Sequence, residues 1–130
     1  MRGVIKNRER KRQIVDMSGL RFPNGITPTD GDGFIEFDDQ LFVWFEFKVK
    51  DAPIPYGQRL ALERQCDAVA ETGRIATVFV AEHDTAPAED IDAAACMVRE
   101  LRFQRKWRPP RQPITLREAI DRMREMAGML

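Results

Sequence analysis

DGFIEFDDQLFVWFEFKVK, residues 32–50, reads as two strands joined by a tight turn. Its first part alternates: Asp32, Phe34 and Glu36 fall on one side of an extended chain, and Gly33, Ile35 and Phe37 on the other. Asp38-Asp39-Gln40 has the composition of a hairpin turn. Leu41 to Lys50 is rich in β-branched and aromatic residues, as strands are. Leu41, Val43, Phe45, Phe47 and Val49 share one apolar face; Phe42, Trp44, Glu46, Lys48 and Lys50 share the other. The pattern predicts an antiparallel hairpin with one core face. The second face becomes charged toward the C-terminal end of the second strand.

Working outward, residues 3–17 read as a basic helix marked by Val4, Ile5, Ile14 and Val15, with Gly19 as its cap. A loop containing Pro23, Asn24-Gly25 and Pro28 joins it to the hairpin. On the other side Pro53 and Pro55 break the chain, and Pro55 suits the first turn of a helix reaching about Glu71. Leu62, Cys66 and Val69 give that helix an apolar stripe, and Thr72-Gly73 ends it. Arg74 to Ala81 reads as a strand with Ile75, Val78, Phe79 and Val80 buried, followed by an acidic loop over Glu82 to Asp92. Residues 93–107 carry two signals. Ala93 to Met97 favours helix by propensity, while Met97, Arg99, Leu101 and Phe103 alternate like a strand, which is favoured for the later part. Arg108-Pro109-Pro110 breaks the chain again. Thr115 and Glu118 then form a capping box for a last helix marked by Leu116, Ala119, Ile120 and Met123. This order predicts one α/β domain spanning residues 1–130, with a mixed central β-sheet flanked by helices.

Length and composition agree with one globular domain: 130 residues, 43% apolar. No apolar run approaches the roughly 18 residues of a membrane span, and the basic N-terminus has no apolar core of a secretory signal. Cys66 and Cys96 lack metal-ligand spacing and read as buried free thiols, the habit of a reducing cytoplasm. The net charge is zero but segregated. Residues 2–12 and 99–111 are basic, whereas residues 27–40 carry only acids. Such segregation suits basic surfaces for phosphates around an acidic pocket.

The hairpin also carries the chemistry. Metal-assisted cleavage of a phosphodiester needs hard oxygen ligands, a positioned water and a cation to offset charge building on the phosphate. Carboxylates on paired strands meet across a hairpin, and a Lys two residues after the second lies on its face. Asp32 opens the first strand; Glu46 and Lys48 share the charged face of the second; the carbonyl of Phe47 lies between them as a further oxygen. Trp44, Phe45 and Phe47 surround this charge with apolar residues, where ionisable groups are rare unless paired or bound to metal. His83 has no second His or thiolate nearby and reads as a loop histidine. Trp107, in the basic segment, reads as an aromatic packed onto the core rather than a base-stacking residue.

Pro28-Thr29-Asp30-Gly31-Asp32-Gly33-Phe34-Ile35, followed by Phe45-Glu46-Phe47-Lys48, resembles the PD-(D/E)XK nuclease superfamily. Within it the chain looks like small phage- or prophage-associated nucleases and Holliday-junction-resolvase-like proteins. Pro55-Tyr56-Gly57-Gln58-Arg59-Leu60 opens the next helix with the Gln-Arg pair that VRR-NUC-type nucleases place there. The resemblance covers roughly residues 3–80 and implies a restriction-endonuclease-like core. It implies Asp32 and Glu46 as ligands of Mg²⁺ or Mn²⁺ together with the Phe47 carbonyl, Lys48 as the catalytic lysine, and Gln58 as the helix residue that orients water or phosphate. Glu9 would match an acid some members add on the first helix. The Pro-Asp pair is spread here, so Asp30 or Asp32 can be the ligand; strand position favours Asp32. The implied activity is magnesium-dependent hydrolysis of DNA, duplex or branched, with Arg8, Lys11, Arg12, Arg59, Arg105, Lys106 and Arg108 contacting nucleic acid. Cutting two strands favours a homodimer. The expected setting is the cytoplasm, with no membrane partner. The alternative is a non-catalytic nucleic-acid-binding or assembly protein on the same fold.

Overall fold

The computed structural model describes residues 15–29 and 31–130. The helix expected at 3–17 therefore lies outside the described residues except for Val15 to Met17, which are exposed and not helical. The stretch from Asp32 to Lys50 forms the expected hairpin. Strand β1 (Gly33–Phe37) pairs antiparallel with β2 (Leu41–Val49), Gly33 opposite Phe45 and Phe37 opposite Leu41. Its turn holds Asp38 and Asp39 at positive φ, 50° and 60°. Aspartate tolerates this region because its short side chain bonds locally. Asp39 also receives the Arg74 guanidinium on its carboxylate and gives its N–H to Glu36.

Helix α1 (Tyr56–Ala70) carries the chain across to β3 (Ile75–His83), parallel to β2 with Leu41 opposite Ile75 and Val49 opposite His83. A parallel pair needs such a crossover. Strands β4 (Met97–Phe103) and β5 (Lys106–Arg108) add by antiparallel pairing, and α2 (Leu116–Met126) follows. The described residues thus form an α/β structure with two helices on a five-stranded mixed sheet of order β1-β2-β3-β4-β5. None of these helices is long and apolar enough to cross a membrane.

The sequence predicts one core face on β2; the structure packs both, because α1 returns over the second. Leu41 and Val43 pack with Phe79, Val98 and the α2 residues Leu116, Ala119, Ile120 and Met123; Phe45 and Phe47 join the edge of that cluster. On the other face Leu62 and Cys66 of α1 pack on Ala76 and Val78, flanked by Trp44, Val69 and Trp107. Burying one of the large aliphatic or Phe side chains contributes about 1.5–3 kcal/mol. Helix α2 starts at the expected box: the Thr115 hydroxyl accepts from the Glu118 N–H while the Glu118 carboxylate accepts from the Thr115 N–H.

Several boundaries differ from expectation. Val49 is 58% exposed because it ends β2 beyond the apolar cluster, and Ile75, first in β3, is half-buried. Pro55 stands just before the helix, at the N-cap, rather than inside its first turn. Strand β3 extends through Glu82 and His83, which the acidic loop had claimed, because β2 and β4 pair with them. Ala93 to Ala95 make only one 3-10 turn, since Met97 must be extended to pair with Glu82. Arg108 belongs to β5, and the break comes after it. A register shift between β3 and β4 sets Val80 opposite Glu100 but Ala81 opposite Val98, leaving Arg99 as the bulged residue.

Candidate active site

The open end of the hairpin is closed by side chains. Asp32 stands directly before β1, and its N–H donates to Glu46 Oε2 at 3.2 Å. Its own Oδ2 accepts from the Phe47 N–H at 2.7 Å. Gly33 makes this approach possible: a Cβ there would lie 2.5 Å from the Phe45 ring. In an extended chain the N–H and C=O of one residue face the same edge, so the Phe47 carbonyl faces the edge where Asp32 sits.

Glu46 is 2% exposed. Gln58, in the first turn of α1, donates Nε2 to Glu46 Oε1 at 2.6 Å. Burial pushes the Glu46 carboxyl above its ordinary value and the charge of Asp32 adds to this, while the Asp32 N–H and Lys48 act the other way. Lys48, half-buried, lines a cleft of about 710 Å³ with Gln58, Pro55, Gly57, Arg64 and the loop around Pro28. The cleft lies beyond the C-terminal end of β2, where the chain leaves for the crossover helix. Open α/β sheets commonly bind ligands outside the carboxyl ends of their parallel strands.

The donor set fits a hard divalent cation. Asp32, Glu46 and the Phe47 carbonyl are all oxygen ligands, the kind Mg²⁺ and Mn²⁺ prefer. Among the described residues no group of three or more His, Cys, Asp or Glu converges. A cation here would have two carboxylates and complete its shell largely with water, as Mg²⁺ commonly does. The carboxylate disfavoured by burial and by its acidic neighbour is the one a cation would relieve.

The structure brings Asp32, Glu46, Phe47, Lys48 and Gln58 together and places Arg59, Arg105, Lys106 and Arg108 elsewhere. Asp30, Glu9, Arg8, Lys11 and Arg12 lie outside the described residues. Arg59 turns to the sheet, pairs with Glu100 through two bonds and stacks 4.1 Å from the Trp107 ring centre. Arg105 pairs with Glu71, Arg108 donates to the Phe103 carbonyl, and Lys106 is exposed. These three belong to the β4–β5 hairpin, whose turn lies beside Thr77 near the start of β3; Glu46 pairs with Val80 farther along. The basic segment is therefore no continuous cationic strip. Arg102 is 8% exposed and fixed to Asp67 at 2.9 and 2.6 Å, with Glu63 at 3.5 Å. Trp107 packs inward and donates to Glu63. His83, the last residue of β3, accepts at Nδ1 from the Thr85 N–H two residues on. Both cysteines are free and buried, and burial pushes the Cys66 thiol up to about 12, which keeps it inert.

Two residues near the cleft escaped the sequence reading. Arg99 donates to Glu82 at 2.8 Å, to the Ala52 carbonyl at 2.6 Å and to the Val49 carbonyl at 3.3 Å. It fastens the chain leaving β2 after Lys48; nothing in sequence marks the bulge that puts it there. Arg64 lines the cleft. Its helical spacing from Gly57 and Leu60 was the available signal. The chain matches no protein-family model, and comparisons with curated proteins and with solved structures give no match.

Proposed function

We propose that this chain is a metal-dependent nuclease hydrolysing phosphodiester bonds in DNA, with a PD-(D/E)XK-type site on a restriction-endonuclease-like core. One observation carries the reading: across the open end of the hairpin the Glu46 carboxylate accepts the Asp32 N–H and the Asp32 carboxylate accepts the Phe47 N–H, with Lys48 two residues along the face of Glu46. The succession of antiparallel hairpin, crossover helix and parallel strand supports the core. Asp32, Glu46 and the Phe47 carbonyl would hold Mg²⁺ or Mn²⁺. When bound, the ion polarises the phosphate and lowers the pKa of an attacking water.

The chain's own residues do the rest. Gln58 fixes the Glu46 carboxylate through its 2.6 Å bond, so the ligand is oriented before substrate arrives. The Phe47 N–H does the same for Asp32. Lys48 presents a compact ammonium to the cleft, where it stabilises charge growing on the phosphate and orients the nucleophile. Such help is strongest in the transition state, so its loss falls on rate more than on affinity.

The test is plasmid cleavage with Mg²⁺, with Mn²⁺ and with EDTA. Wild type should cut only with metal. Lys48→Ala should lose about 10²–10³-fold or more in rate, the scale of losing one electrostatic stabiliser, with circular dichroism and DNA binding little changed. Lys48→Arg should rescue poorly, because a planar fork does not replace an ammonium. A Lys48→Ala protein that cuts at the wild-type rate sinks the site assignment. A wild type that cuts no DNA or RNA with either metal leaves nucleic-acid binding without catalysis as the better reading.

A further inference from the structure

We propose that the aromatic face of the hairpin beside the acidic pair is a slot for one unpaired nucleobase, so that the site acts on a strand carrying unstacked bases; this rests on the nuclease reading above. The register sets the geometry. Phe34 stands opposite Trp44, and Glu36 opposite Phe42. By the period of two these lie on the face of Asp32 and Glu46, with the Phe34–Trp44 row one step, roughly 6.6 Å, along the strands from the acids. Phe34 is 70% exposed on the edge strand. A cleft of about 470 Å³ runs over this face, with Phe34, Phe42 and Trp44 on one side and Leu62 and Gln65 of α1 on the other. The Phe42 and Trp44 rings are 6.4 Å apart. This slot and the cleft of Lys48 have Thr29 and Ala61 in both walls, so the two are neighbours.

Charge assigns the ends. Lys48 and Arg64 line the cleft and favour phosphate there. Glu36 closes the far end of the slot, its carboxylate held by the Asp39 N–H at 2.9 Å. That anion keeps phosphate out but can accept from an N–H on the rim of an unpaired base, the thymine N3–H or an exocyclic amine. One aromatic wall, with Gln65, Thr29 and Glu36 at the edges, suits a heterocycle that stacks on one face and bonds along its rim. A base inside a duplex is stacked on its neighbours and cannot enter without being flipped out. The slot thus selects strands that already offer a free base.

The test is equilibrium binding in EDTA, which keeps cleavage out of the measurement. The probes are a fluorescein-labelled oligothymidylate and a blunt duplex of equal length. The oligothymidylate should bind more tightly than the duplex. Phe34→Ala should weaken the oligothymidylate roughly tenfold or more, as the loss of one stacking partner does, and leave the duplex unchanged. Phe34→Trp should keep the wild-type affinity. Phe34 is an exposed side chain, and circular dichroism verifies that the variants fold. No loss in Phe34→Ala, an equal loss on both probes, or no single-strand binding by the wild type overturns the slot. Cleavage of the oligothymidylate with Mn²⁺ is measured separately. Absent cleavage with Phe34-dependent binding defeats the nuclease reading and spares the slot; cleavage with binding indifferent to Phe34 does the reverse.

Discussion

Glu46→Gln keeps the shape of a side chain that is 2% exposed and removes its charge. In the wild type one carboxylate oxygen accepts from the Asp32 N–H at 3.2 Å and the other from Gln58 at 2.6 Å. The amide retains one acceptor and turns its nitrogen toward the second donor. Losing a bond to a charged acceptor costs about 1.5–3 kcal/mol. Against this, the variant no longer holds a carboxylate that burial and Asp32 disfavour. In the wild type the folded state keeps its proton longer than the unfolded state, so stability falls as pH rises from 4.5 through the raised value. The slope is at most about 1.4 kcal/mol per pH unit. The two effects oppose, and metal-free stability near neutral pH should change by only about 1–2 kcal/mol. Metal separates the proteins. Mn²⁺ at a hundred times its Kd adds about 2.7 kcal/mol to a protein that binds it only when folded. At about 4 °C per kcal/mol for a chain of this size, the wild-type Tm should rise by about 10 °C. Glu46→Gln, with Asp32 as the remaining carboxylate, should rise by less than about a third of that under the same Mn²⁺. The assay is thermal unfolding by far-ultraviolet circular dichroism in EDTA and in Mn²⁺. A variant that shifts as far as the wild type, or a wild type indifferent to Mn²⁺, refutes the assignment of Glu46 as a ligand.

Gly33→Ala should destabilise by about 1–3 kcal/mol in urea unfolding, the usual scale of overpacking, because its Cβ meets the Phe45 ring at 2.5 Å; unchanged stability would show that the ring moves freely. Arg102→Ala should cost about 1–3 kcal/mol, since it removes the charged donor of Asp67 and Glu63 but leaves both acids partly open to water, and Arg102→Met should cost less. Arg102 holds the Asp67 carboxyl below its ordinary 3.8, so this stabilisation is complete above 3.8 and lost as pH falls through the lower folded-state value. Arg102→Met should therefore flatten the acid limb of a stability–pH profile, and an unaltered limb would remove the pair from acid unfolding. Arg64→Ala should reduce the salt slope of single-strand binding by about 0.7, one phosphate contact, whereas Arg105→Ala should leave it unchanged; the reverse result would move the phosphate track to the β4–β5 corner.

The hairpin was legible because its information is local. Alternation from Asp32 to Lys50 assigns each side chain a face, and the two cores receive Leu41 and Val43 on one side and Trp44 on the other. The start of α2 was legible for the same reason, its two capping bonds joining residues three apart. Helix α1 was only half legible. Leu62 and Cys66 gave its apolar stripe, but Gln58, Arg59, Glu63 and Asp67 also face the sheet and bond to it. Polarity patterns cannot separate a polar residue facing a polar patch of sheet from one facing water. Residues 99–111 were partly illegible on the same ground: Arg102 finds Asp67 at 35 residues' separation, a pairing that only tertiary structure creates.

The candidate site sits at the boundary between these kinds of information. Asp32 and Glu46 meet because a three-residue turn sets the register of one hairpin, and that much is written locally. Burial of Glu46 is not. It needs α1 to return over the strand so that Gln58 reaches the carboxylate, and the return depends on how the chain leaves β2. Arg99 holds the carbonyls of Val49 and Ala52, just after Lys48 and just before the helix. Arg59, next to Gln58, ties the first turn of the helix to Glu100 on the same bulged strand. The bulge in β4 therefore supports both the strand end that carries Lys48 and the helix start that carries Gln58. Two carboxylates in a hairpin are common surface chemistry. What makes these two a candidate centre is a crossover anchored from the far strand, which closes water away from one acid and leaves the other exposed.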